Sequence, residues 1–108
     1  MNTNEALSGK QKKHLRKIAH HLRPIVTLTK LDFTENALNE TIRAISDHEL
    51  IKVKIEDPEK LKRQAIGSKI SKLTNSNLIQ TIGKCVVLYK ESPEPNPKLS
   101  NVARYSFR

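Results

Sequence analysis

The sequence predicts a single α/β domain (an α+β sandwich) with the element order α-β-α-β-α-β-β. Two observations support this prediction. Hydrophobic patterns with the period of a helix alternate with patterns typical of strands along residues 9–90. The 108 residues also suit one compact domain rather than two. We therefore expect three helices and one four-stranded sheet within residues 1–90, followed by a Pro-containing tail over residues 91–108.

A first helix is predicted over about residues 9–22. Ser8 and Gln11 have the spacing of a capping box, in which each side chain bonds the backbone of the other residue. The helix should end at Arg23, because Pro24 disfavours helical geometry in the residue before it. The buried face of this helix is marked by four apolar residues at helical spacing: Leu15, Ile18, Ala19 and Leu22.

The next two elements are a short strand and a second helix. Residues 25–28 are rich in β-branched side chains and predict the strand. Thr34 is a favourable N-cap for a helix that should run to about Ser46, although Asp32 with Glu35 is an alternative capping pair. The buried stripe of this helix consists of Leu38, Ile42 and Ile45.

A second strand is predicted over residues 50–55, where apolar and basic residues alternate. Lys52 and Lys54 should form a basic outer face. The residues that should face the core are Ile51, Val53 and Ile55.

Asp57 and Pro58 predict the start of a third helix, which should run to about Leu73. Gly67 lies inside this helix and should weaken it by roughly 1 kcal/mol relative to Ala.

The last two strands should form a hairpin around Gly83-Lys84, with residues 78–82 and 85–90 as its arms. After Glu91 the prolines cannot sustain a helix or a central strand, so residues 91–108 are expected to be extended or disordered.

The charge is strongly basic and unevenly distributed. Twenty Lys and Arg stand against eleven Asp and Glu, a formal net charge of +9. Residues 1–30 hold seven of the cations and one acid, and therefore two thirds of the excess. A solvated face is the ordinary interpretation of a charge run, but solvated faces usually mix signs and the first helix contains no acid. We interpret this helix as a surface that binds a polyanion.

Only four residues are aromatic, which argues against a surface that stacks single-stranded bases and favours contacts with backbone phosphates and RNA shape. No glycine-rich nucleotide loop, P-loop or nucleophile-elbow motif is present. Cys85 lies in an apolar strand, where a cysteine is usually a small core hydrophobe. The four histidines lack partners at metal-ligand spacing. We therefore expect no metal, no other cofactor and no enzymatic activity.

A single cysteine allows no internal disulfide and favours a reducing, cytoplasmic compartment. No apolar run approaches the length of a membrane span, and the amino-terminal residues lack a signal-peptide pattern.

Four segments in register over about residues 7–90 resemble a known family. They are Leu7-Ser8-Gly9-Lys10-Gln11-Lys12 continuing to Pro24, Leu31-Asp32-Phe33-Thr34-Glu35, His48-Glu49-Leu50-Ile51-Lys52-Val53-Lys54, and Gln80-Thr81-Ile82-Gly83-Lys84 with Val86-Val87-Leu88-Tyr89. The chain resembles the bacterial YhbY proteins, which are stand-alone CRM domains (chloroplast RNA splicing and ribosome maturation). The resemblance implies a mixed sheet and a fold similar to the C-terminal domain of the third bacterial translation initiation factor.

The resemblance also implies a function, namely RNA binding and association with ribosomal RNA in precursors of the large subunit, as an assembly factor. We expect a monomer with no small-molecule substrate and no membrane partner. The candidate RNA-binding residues are Lys10, Lys12, Lys13, Arg16, Lys17, His20, Arg23, Lys30, Lys52, Lys54 and Lys84.

The loop of residues 29–32 departs from the family pattern. The family has a Gly-x-x-Gly loop here, in which glycines let the backbone approach a phosphate, whereas this chain has Thr29-Lys30-Leu31-Asp32. A backbone clamp is therefore in question, and the Lys30 side chain is the candidate contact. Two alternatives stay open: a basic module that binds an acidic protein or a non-ribosomal RNA, and an enzyme that acts on RNA.

Overall fold

The computed structural model describes residues 7–29 and 34–105, without the side chain of Tyr105. The elements in chain order are α1 (Gly9–Ala19), β1 (Val26–Leu28), α2 (Glu35–His48), β2 (Leu50–Ile55), α3 (Lys60–Thr74), β3 (Asn77–Ile82), β4 (Cys85–Tyr89) and α4 (Asn101–Tyr105). The four strands form one sheet in the order β1-β2-β4-β3. β1 pairs with β2 in parallel, and the other pairs are antiparallel. The predicted α+β fold with a mixed four-stranded sheet is confirmed.

Both faces of the sheet are covered by helices, and each face carries its own apolar cluster. On one face, α2 and α3 pack against alternate residues of β2, including the predicted Ile51, Val53 and Ile55. On the other face, α1 packs through Leu15, Ile18 and Ala19 onto Leu50, Ile79 and Val87. This alternation puts Lys52 and Lys54 on the same face of the sheet as α1.

α1 begins as predicted and ends earlier than predicted. The Ser8 hydroxyl accepts from the Gln11 backbone N–H at 3.1 Å, and the Gln11 side chain accepts from the Ser8 N–H at 2.9 Å. The helix ends at Ala19 rather than residue 22, because the N–H groups of His21 and Leu22 bond carbonyls three residues back and tighten the turn before Pro24. α2 extends two residues beyond the predicted end, to His48, and Thr34 caps it through the Ala37 N–H.

α3 starts later than predicted. Asp57 does accept a backbone hydrogen bond, from the Glu59 N–H at 2.9 Å, but this closes a turn that precedes the helix, and the helix begins at Lys60. Gly67 has a packing role that its helix propensity hides. A Cβ at this position would lie 2.8 Å from Val86 Cγ1, so the missing side chain lets α3 approach β4 closely.

The hairpin of β3 and β4 is confirmed, with Gly83 at a positive φ of 55° in its turn. A register shift interrupts β3: Leu78 pairs with Leu88 and Gln80 with Val87, so Ile79 is an extra residue in the strand. Ile79 is buried beneath α1.

Residues 101–105 of the predicted extended or disordered tail form a fourth helix, α4, instead. Residues 91–100 lack regular structure, as expected from their prolines, and they form a loop that contacts Glu49 at Ser92, returns to it at Ser100 and leads into α4. Ser100 is fully buried, and its hydroxyl donates to Glu49 Oε1 at 2.6 Å. Asn101 Nδ2 donates to the Leu50 carbonyl at 2.7 Å. These polar anchors hold the segment together with Val102, which packs against the apolar cluster on the α1 face of the sheet. The described residues thus contain four helices instead of the three expected.

None of these helices is long and apolar enough to cross a membrane, within residues 7–29 and 34–105.

Candidate nucleic-acid interface

The outward face of α1 is basic along its whole length. The buried stripe turns toward the sheet and leaves four lysines of this helix exposed, with Arg16 partly buried beside them: Lys10, Lys12, Lys13 and Lys17. His20 caps the helix carboxyl end and is exposed.

The electrostatics of α1 are unfavourable at its amino end. The helix macrodipole favours acids in the first turn and disfavours cations there by about 0.3–1 kcal/mol each, yet this turn carries lysines and no acid. Lys12 and Arg16 are also four residues apart, as are Lys13 and Lys17, and like charges at this spacing repel. This arrangement of cations lowers the stability of the free protein. A bound polyanion would turn the unfavourable electrostatic free energy into a favourable one.

The basic surface continues onto the strands beside α1. Lys52 and Lys54 are partly buried on the α1 face of β2. Lys54 Nζ lies 3.7 Å from Glu56 Oε1, an exposed pair that neutralises part of its charge. The Ile55 N–H donates to the Lys84 carbonyl at 2.7 Å, so the hairpin turn with its exposed lysine lies at the end of β2.

A pocket of about 220 Å³ lies between the segment after α1, β2 and α4. We call it the Arg104 pocket. Its polar lining comes from six residues of four chain segments: His21, Arg23, His48, Lys52, Asn101 and Arg104. Leu22 and Ile25 provide apolar wall.

The carboxyl-terminal side of this pocket is held to the domain by residues 48 and 49. His48 Nδ1 donates to the Leu99 carbonyl at 2.9 Å; a carbonyl can only accept, so this nitrogen carries the hydrogen. Glu49 adopts a positive φ of 60° at the end of α2, and its carboxylate accepts from the Ser92 N–H at 2.7 Å as well as from Ser100. Together these bonds fix where α4 begins.

The predicted site residues therefore fall into two groups. The structure brings Arg23 and Lys52 together in the Arg104 pocket, and it places the other described candidates outside the pocket, on α1, on β2 and in the hairpin turn. Residues 30–33 lie outside the described residues, and with them Lys30 and all of the loop of residues 29–32 except Thr29.

Four pocket residues were not among the predicted contacts. The sequence offers no metal-ligand spacing around His21 and His48, for which a solvated or phosphate-facing role is the ordinary interpretation, and it assigns Asn101 and Arg104 to the tail. One signal was available for the last two: Ser100 is a good helix N-cap, and its hydroxyl accepts from the Ala103 N–H at 3.1 Å.

Other chemistry is sparse in the part of the chain that the structure describes. No group of three or more His, Cys, Asp or Glu there could hold a metal ion. Cys85 is partly buried in β4. Burial raises the pKa of Tyr89 to about 12, with smaller contributions from the charges of Glu49 and Glu91, so its phenol is neutral at physiological pH.

Comparison with known proteins gives a family for this chain. The model of the CRS1/YhbY (CRM) domain matches residues 7–90. The chain belongs to the CRS1/YhbY (CRM) domain family. The match spans α1 to β4, so the anchored segment that forms one side of the Arg104 pocket lies beyond the CRM domain.

Several CRM relatives are similar over nearly their whole length. The Pseudomonas aeruginosa "Probable RNA-binding protein PA4753" is 41% identical over 94% of this chain and 97% of its own. An "RNA-binding protein" of Haemophilus influenzae is 42% identical over 86% of this chain and 94% of its own. The solution structure of the hypothetical protein SAV1595 from Staphylococcus aureus matches with a TM-score of 0.74 and 34% identity, over 84% of this chain and 95% of that one.

Proposed function

We propose that this protein binds RNA through its phosphate backbone, and that its target is ribosomal RNA in precursors of the large subunit. The observation that carries the proposal is the acid-free α1 face, which adjoins Lys52 and Lys54 on one side of the sheet. The names of the CRM relatives, which describe RNA-binding proteins, support RNA as the polyanion.

The mode of binding follows from the side chains available. Lysines and arginines contact phosphates without reading sequence. Aromatic platforms for bases are scarce, since the chain contains two Tyr and two Phe. The protein therefore selects its RNA by the shape that places phosphates along α1 and β2. It acts by binding rather than by turnover. It works as a monomer in the cytoplasm.

Salt dependence tests the electrostatic basis. With about five phosphate contacts, the logarithm of the affinity should fall with the logarithm of salt concentration with a slope near −3.5 on single-stranded RNA. Fluorescence anisotropy from low to moderate salt measures this slope. A slope near zero would remove the electrostatic argument.

Charge reversal on α1 tests the location of the site. We expect Lys12→Glu with Arg16→Glu to abolish RNA binding while circular dichroism shows a folded domain. The matched control is Arg43→Glu with Lys60→Glu, which changes the net charge equally through exposed residues of α2 and α3, on the other side of the sheet. Equal losses in both variants would mean that net charge, and not α1, governs binding.

The ribosomal target needs a separate experiment. We expect the protein to sediment at or just below the large subunit in sucrose gradients of cell lysate, and to leave that peak as salt rises. A protein that stays at the top of the gradient at every salt concentration would contradict the assignment. Pulldown after nuclease treatment separates the alternative, because an acidic protein partner would be retained without RNA.

A further inference from the structure

We propose that the Arg104 pocket binds one phosphate group of the RNA, and that the carboxyl-terminal segment supplies part of this site. The inference rests on the proposed function and deepens it, because it names one group of the ligand and the residues that hold it. Its basis is the convergence of Arg23, Lys52 and Arg104, from three separate segments, on one cavity.

The charge of the side chains that line the pocket favours an anion as the ligand. Among the described residues, two arginines, one lysine and two histidines line the pocket. None of the described lining residues is an Asp or a Glu. Charges of like sign around one concave site raise the local potential and attract a counter-ion. The carboxylate of Glu49, which follows His48 in the chain, is buried and bonded to Ser92 and Ser100.

The chemistry of the lining favours phosphate among anions. An arginine presents parallel N–H donors that match two phosphate oxygens, and two arginines from different segments can approach one phosphate from different sides. A lysine adds a point charge. Leu22 and Ile25 leave part of the wall apolar, as suits the carbon face of an adjoining ribose.

The size of the pocket limits what can enter. Its volume of about 220 Å³ is below the roughly 300–1,000 Å³ typical of sites that enclose whole small molecules. A single phosphate with part of its sugar is therefore the better fit.

The pocket is pre-organised from the domain side. α4 is held by the Ser100 hydroxyl on Glu49 and by the Asn101 amide on the Leu50 carbonyl, so Arg104 is carried on an anchored segment. The ring of His48 is fixed by its bond to the Leu99 carbonyl. A ligand therefore meets groups whose positions are already set, which lowers the entropic cost of binding.

The test is RNA binding by Arg104→Gln, with Arg43→Gln as the matched control because it removes one exposed arginine from the far face of the sheet. Losing one charge-assisted contact should weaken binding about tenfold and make the salt slope shallower by about 0.7 on single-stranded RNA. Lys52→Gln should give a similar loss. The double variant should lose less than the sum of the two single losses, because both residues contact one group.

The source of the phosphate is separated by using the same RNA with a 5′-phosphate and with a 5′-hydroxyl. An equal loss on both RNAs indicates an internal phosphate, and a loss confined to the phosphorylated RNA indicates a terminal one; either supports the site. If wild-type protein binds RNA with a steep salt slope but Arg104→Gln behaves like Arg43→Gln, the pocket inference is overturned while the proposed function stands. If wild-type protein binds no RNA, both fail.

Discussion

Replacement of Glu49 by Gln should reveal how strongly the carboxyl-terminal segment is held. The carboxylate of this buried residue accepts from the Ser92 N–H at 2.7 Å and from the Ser100 hydroxyl at 2.6 Å. Hydrogen bonds to a charged group contribute about 1.5–3 kcal/mol each. Gln keeps the shape and one acceptor oxygen, but it loses the charge and turns an amide donor toward one of the two partners. We expect Glu49→Gln to lower the free energy of unfolding by about 2 kcal/mol.

Urea unfolding at pH 7 measures this change, with Glu94→Gln as the control because it alters an exposed carboxylate of the same segment. Ser100→Ala completes a double-mutant cycle. The two changes remove the same bond, so we expect a coupling energy of at least about 1 kcal/mol. Moderate salt should leave the effect unchanged, since buried pairs are weakly screened.

Ending the chain at residue 91 should also destabilise the domain, because it removes the hydrogen-bond donors of Ser92 and Ser100 that bond Glu49, and it uncovers the Leu50 carbonyl.

A Glu49→Gln variant whose free energy of unfolding lies within about 0.5 kcal/mol of wild type, the range of ordinary surface substitutions, would refute the reasoning. Simple additivity with Ser100→Ala would refute it equally.

Two further predictions concern packing and pH. Gly67→Ala should lower the free energy of unfolding by about 1–2 kcal/mol despite the better helix propensity of Ala, because the added Cβ would meet the buried Val86 side chain at 2.8 Å. The control is Ser68→Ala, an exposed position of the same helix, which should be neutral or stabilising in urea unfolding. Tyr89 has a folded pKa of about 12 against an ordinary value of 10, so the unfolded chain loses this proton first and stability should fall as pH rises from 10 to 12. Melting curves should show that Tyr89→Phe removes this part of the alkaline loss, and an unchanged loss would contradict the assignment.

Local patterns were sufficient for most of the fold. The capping box at Ser8, the alternation through Ile51 and Val53, and the Gly83 turn all depend on neighbours a few residues away, and each was predicted. The carboxyl end of α1 and the start of α3 were missed by three and two residues, because hydrogen bonds in the adjoining turns decide them.

The anchored segment could not be predicted in this way. Its hydrogen bonds join residues about fifty positions apart, as in the bond from Ser100 to Glu49, and its apolar contact through Val102 is too short to form a hydrophobic period. The same limit applies to the candidate site. Charge counting identifies Arg23 and Lys52 separately, but only the packing of α4 on β2 shows that they share a pocket with Arg104.

The bulge in β3 has a consequence for how copies of this protein meet at high concentration. An outer strand with free N–H and carbonyl groups is a template for aggregation, and the two outer strands of this sheet are β1 and β3. β1 is three residues long, and Ile79 interrupts the ladder of β3, which bends and twists that strand. Neither edge strand is therefore long and flat. At high concentration, this protects the protein against forming a β-sheet between molecules.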